Sequence, residues 1–230
     1  MHLTISGSLF SLSGILLGYF SYTRLRAWKL DPHNTINLYY WKATFLITCA
    51  LMLYGFAGLF FENSANFLRI TAAFATVINI LGFGYFLLIP VYSWGSARAA
   101  VIARGGVRLY ALVVAALLNL YPPQSFIDHA GIIHWRFSTL IGWLALIIMG
   151  VAFTLNIILL SSYFKRLASL SFVNLIALIA TFFLTGIGGS YLYIGDNAVF
   201  LVAASFFLFA GICSVFWSVV KSAIQKQKKR

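Results

Sequence analysis

The sequence predicts an all-α fold, a polytopic membrane bundle of about seven transmembrane helices, and three observations predict it. Hydrophobic residues make up 62% of the chain and charged residues only 9%, where a soluble domain carries about 25% charged side chains. The apolar residues gather in stretches of about 20, each long enough to cross a hydrocarbon core of roughly 30 Å. All of the 16 Lys and Arg residues except Arg69 and Arg136 fall in alternate connections between those stretches.

That charge asymmetry orients the bundle, because cytoplasmic loops carry the excess of Lys and Arg. Arg24, Arg26, Lys29 and Lys42 form one basic group, and Arg98, Arg104 and Arg108 a second. Lys165 and Arg166 make a third, and Lys221, Lys226, Lys228, Lys229 and Arg230 a fourth. The N-terminus is therefore expected outside and the C-terminus in the cytoplasm. No basic residue precedes the first apolar stretch, so a membrane helix is expected there and not a cleaved signal peptide.

The whole chain reads as a single transmembrane domain. The first span runs from Thr4 to Tyr22, followed by a basic connection containing Asp31-Pro32. The second covers Trp41 to Phe61 and the third Ile70 to Tyr92, with Pro90 near its end, where a kink costs little. A fourth, Val101 to Tyr121, holds Arg104 and Arg108 one helical turn apart, so both are expected to snorkel toward the cytoplasm. Without this fourth span, Lys165-Arg166 and the basic C-terminus would fall on the outside, against the charge rule. Pro122-Pro123 ends it. The fifth span is Phe137 to Ser162, the sixth Leu170 to Tyr193 and the seventh Ala198 to Val220. Residues 221–230 follow as a basic cytoplasmic tail. Gly55-Phe56-Ala57-Gly58 and Gly186-Ile187-Gly188-Gly189 occupy matching places, which suggests two parallel three-helix repeats around the fourth span.

Partners follow from the same pattern. The net charge of +12 borders apolar spans and does not form a soluble stripe, so nucleic acid is not expected. Anionic lipid headgroups are, through Lys226, Lys228, Lys229 and Arg230, at about 1 kcal/mol per basic residue near such a surface. Gly7, Ser11, Gly14 and Gly18 line one face of the first helix. Small residues permit close helix approach, either within the bundle or toward a partner subunit or second copy.

Chemistry-bearing residues are sparse. No Asp, Glu, Lys or His lies mid-span, which argues against proton-coupled transport, a retinal Schiff base and haem ligation. No cofactor is implied. The outside collects His2, Glu62, Asp128, His129, His134 and Asp196, with Asp128, His129 and His134 in the longest outer loop. Imidazole and carboxylate together suit a ligand or a metal ion, although the spacing matches no strong metal signature. Within the spans, Asn79 and Asn156 are the candidates for holding a neutral solute, unless they hydrogen-bond between helices.

A helix ending in Arg24 and Arg26, a polar basic connection, and a next helix with Tyr54-Gly55 in its outer half together give a recognisable layout. It resembles the seven-helix N-terminal sensing domains of bacterial histidine kinases. The resemblance implies a sensor in the bacterial inner membrane, here with no kinase or cyclase segment following. The leading expectation is a non-enzymatic sensor, receptor or accessory subunit acting through a partner protein. The competing one is a small transporter or permease subunit for a neutral or lipid-like solute.

Overall fold

The computed structural model describes residues 4–61, 64–95, 97–164, 186 and 188–228. These residues form α1 (Ile5–Leu30), α2 (Thr35–Phe60), α3 (Ala65–Trp94), α4 (Ala97–Leu120), α5 (Thr139–Phe164) and a last helix, Ala198–Lys228. Residues 188–194 are helical as well. Between α4 and α5 lies a small antiparallel hairpin, β1 (Phe126–Ile127) paired with β2 (Ile133–His134). Among the described residues, five helices are long and apolar enough to cross a membrane: α1, α2, α3, Arg98–Leu120 of α4 and Thr139–Leu159 of α5. Side chains such as Ile15, Phe74, Leu112, Ile147 and Phe206 face outward, the apolar exterior that lipid requires. The expected sixth span falls mostly outside the described residues, and with it one half of the suggested repeat.

The helices overrun the predicted spans at their basic ends. α1 continues through Arg24, Arg26 and Lys29, and the last helix runs on to Lys228, through residues read from sequence as a separate tail. Nothing between Lys221 and Lys228 stops a helix, since Lys, Gln, Ala, Ser and Ile all tolerate one and neither Gly nor Pro intervenes. Lys229 and Arg230 lie outside the described residues.

Adjacent helices pack in chain order, α1 on α2, α2 on α3 and α3 on α4. α3 also packs on α5, and α1 on the last helix. The small-residue face of α1 is used inside this bundle. A Cβ on Gly7 would stand 3.1 Å from the carbonyl carbon of Gly58, and one on Gly55 would stand 2.8 Å from the Ser11 nitrogen. Gly14 meets Met52 and Gly18 meets Thr48. The face is covered by α2, the packing within the bundle that was one of its two expected uses. The α1 N-cap extends the same junction: Thr4 Oγ1 accepts from the Gly7 N–H (3.2 Å) and donates to the Gly58 carbonyl (2.8 Å).

Asn156 has a structural partner too. Pro90 sits inside α3 and offers no N–H to the carbonyl four residues back, that of Phe86. The Asn156 amide, from α5, donates to that Phe86 carbonyl at 3.0 Å and to the Ala152 carbonyl at 2.8 Å. Asn156 is fully buried, and its amide group bridges the proline break of α3 and its own helix.

Candidate functional site at the hairpin end

The hairpin owes its shape to Asp128-His129-Ala130-Gly131. The Gly131 N–H donates to the Asp128 carbonyl, and Gly131 takes φ +74°, the left-handed position that favours glycine. Asp128 Oδ1 accepts from the N–H groups of Ala130 (3.0 Å) and Ile132 (2.9 Å), a local closure that Asp supplies readily. Two apolar side chains then seat the hairpin on the bundle. Ile133 fills the space that Gly58 leaves open. Trp135 is buried against Tyr54, with ring centroids 4.6 Å apart, and against Phe10 at 6.3 Å.

This seating aligns a row of charged groups. The His134 ring lies between two carboxylates, Nδ1 to Asp196 Oδ1 at 2.8 Å and Nε2 to Asp128 Oδ2 at 3.3 Å. Arg136 ends the row, its Nε (2.8 Å) and Nη2 (2.7 Å) both donating to Asp196 Oδ2. Phe126 stacks on the His134 ring at 4.6 Å and lies 4.7 Å beneath the Arg136 guanidinium. Arg136 holds φ +32°, a strained backbone for a non-glycine residue, and its carbonyl accepts from the Gln124 N–H. Burial opposes ionisation of Asp128, but the Ile132 N–H, the His134 ring and the Ala130 N–H outweigh it and hold its carboxyl below the usual range. Asp196 is held low chiefly by Arg136, with His134 adding to the effect and burial opposing it.

Beside this row opens a cavity of about 730 Å³. Arg69, Gln124 and Arg136 bring charge and polarity to its wall, and Tyr121, Phe137 and Tyr193 bring aromatic surface. The only two basic residues that break the charge asymmetry of the sequence, Arg69 and Arg136, both line it. Asp196 neutralises Arg136. Arg69 is exposed and has no ion pair among the described residues. On the bundle side, Tyr193 Oη accepts from the Asn79 amide at 2.8 Å and lies 3.3 Å from Tyr54 Oη. Tyr54 Oη in turn stands 2.8 Å from Thr76 Oγ1, which donates to the Ala72 carbonyl at 2.7 Å. The cavity wall thus continues into a hydrogen-bonded chain between α2 and α3.

No family model matches the chain, and no curated protein matches its sequence.

Of the residues singled out from sequence, Asp128 and His134 meet directly. Asn79 belongs to the chain of hydroxyls behind the cavity, and Asn156 lies at the Pro90 break. His129 is exposed at the hairpin tip, apart from His134. No group of three or more His, Cys, Asp or Glu side chains placed for a metal occurs among the described residues. The two His134 nitrogens point to opposite sides of one ring, so their carboxylate partners do not converge on a common ion. Arg69, Arg136 and Tyr193 were not anticipated. The signal for the two arginines was their departure from the charge rule.

Proposed function

We propose that the chain is a non-enzymatic sensor or accessory subunit of a bacterial inner membrane, similar in layout to the sensing domains of histidine kinases. In this reading seven helices place the N-terminus and the hairpin end outside and the basic end in the cytoplasm. The cavity takes a small ligand with an anionic group for Arg69 and an apolar body for Tyr121, Phe137 and Tyr193. Occupancy acts on Tyr193 and, through Tyr54, Thr76 and Asn79, on the packing of α2 against α3. A partner protein reads the change.

The observation that carries this reading is the convergence of Arg69 and Arg136 on one cavity. Two arginines on the face where topology disfavours them are accounted for if an anion is recognised there. The transporter alternative has less support: Asn156 is committed to α3, and below the Tyr193 network the core is apolar, with Ile80, Phe83, Phe86 and Met149 packed together.

Thermal unfolding of the full chain in mild detergent, titrated with acetate, benzoate and inorganic phosphate, tests the site. At least one anion should raise the midpoint in the parent and fail to do so in Arg69→Gln; no response to any of the three in the parent contradicts it. Proteoliposomes containing this chain alone separate the two functions. Solute uptake favours the permease, whereas a stoichiometric partner retained in gentle detergent favours the sensor.

A further inference from the structure

At the opposite end of the bundle, half-buried cations stand where the chain has almost no carboxylate to offer them. Of its four Asp and Glu residues, only Asp31 belongs to this end by sequence position, and it is exposed. Asp128 and Asp196 are paired at the hairpin end, and Glu62 follows α2 on that side. Yet Arg104 of α4 reaches across to α2. It donates through Nη2 to the Tyr39 hydroxyl and lies 5.7 Å from that ring's centroid, while its Nε is buried without a hydrogen-bond partner. Lys42, one turn along α2 from Tyr39, holds its ammonium 5.6 Å from the Tyr85 ring. Tyr39 itself packs on Tyr85 at 6.3 Å and on Tyr92 at 5.9 Å.

Arg104 and Lys42 therefore border one cluster of tyrosine rings, Tyr39 of α2 with Tyr85 and Tyr92 of α3. Aromatic faces attract cations but carry no net charge, so they do not replace a counter-ion for a half-buried guanidinium. The neighbouring surface of α4 is open: a Cβ on Gly105 or on Gly106 would meet nothing within 4 Å.

We propose that the rim of this cluster binds an anionic phosphate, with the Arg104 guanidinium and the Lys42 ammonium on its oxygens and the exposed Tyr92 hydroxyl as a further donor. Arg matches phosphate geometry with a planar fork of donors, and Lys adds a point charge. The phosphate belongs either to an acidic phospholipid of the adjoining leaflet or to a soluble phosphate. The site is separate from the hairpin-end cavity and does not depend on the function proposed for it.

The full chain, reconstituted in nanodiscs of equal phosphatidylglycerol and phosphatidylcholine and then extracted, is assayed for retained lipid by native mass spectrometry. A parallel arm measures its thermal midpoint in detergent with inorganic phosphate. Preferential retention of phosphatidylglycerol identifies the lipid source, and stabilisation by inorganic phosphate alone identifies the soluble one. In either case the effect should fall roughly tenfold in the Lys42→Gln, Arg104→Gln double variant, the scale of losing a hydrogen bond to a charged group. It should persist in Lys226→Gln, Lys228→Gln. If the double variant does not fold, Lys42→Gln alone carries the test, since that side chain is only half-buried. The absence of both a phosphatidylglycerol preference and a response to phosphate overturns the proposal, as does a preference lost only with the lysines at 226 and 228.

Discussion

Asn156 shows how a single side chain sets what a helix can tolerate. Pro90 offers no N–H to the Phe86 carbonyl, and the Asn156 amide donates to that carbonyl from the neighbouring helix. Asn156→Leu should destabilise the protein by about 1–2 kcal/mol, measured as unfolding in detergent. The same substitution should cost measurably less in a Pro90→Ala background, where the Phe86 carbonyl regains a donor within its own helix. Equal losses in the two backgrounds would remove this role. The charged row at the hairpin end makes a second prediction. Asp128 and Asp196 have folded-state pKa values below their unfolded ones. The stability they add is therefore full above the unfolded value of about 3.9 and is lost as pH falls through the depressed folded values. Asp196→Asn should flatten the acid limb of stability below about pH 4, and an acid limb as steep as the parent's would contradict the assignment.

Among the elements, the long helices were legible because each combines an apolar stretch with a stop: Asp31-Pro32 after α1, Pro122-Pro123 after α4. α4, which charge alternation alone had demanded, is present from Ala97 to Leu120. The hairpin was not legible. Its strands are two residues each, too short for alternation to register, and only the Asp-His-Ala-Gly turn signalled it. The pairing of Asp196 with His134 and Arg136 joins residues some 60 positions apart, a distance no local pattern spans. The reach of Arg104 to Tyr39 was hidden for a similar reason, since snorkelling is the default for an arginine near a helix end and Tyr39 lies on another helix. The α1–α2 contact yields a prediction of its own. Gly55→Ala sets a Cβ 2.8 Å from the Ser11 backbone nitrogen, and overpacking of this kind costs typically 1–3 kcal/mol. Gly150→Ala in α5 meets nothing within 4 Å and should be near neutral in the same unfolding assay. Comparable effects at the two positions would mean that the α1–α2 seam is not closely packed.

Over the whole molecule, the two ends of the bundle differ in kind. The hairpin end holds the paired carboxylates, the imidazole and the cavity with Arg69 and Arg136. The basic end holds cations set among tyrosines with few acidic partners. An anion recognised at each end, from opposite sides of a membrane, is the arrangement that joins these features. It requires the hairpin to face outside. The direct measurement is labelling of intact cells with a membrane-impermeant maleimide, in a Cys49→Ala, Cys213→Ala background carrying either His129→Cys or Arg98→Cys. Both positions are exposed, one at the hairpin tip and the other near the start of α4. The account predicts that position 129 is modified in intact cells and position 98 only after permeabilisation. Modification of both from the same side, or of position 98 alone, would contradict it.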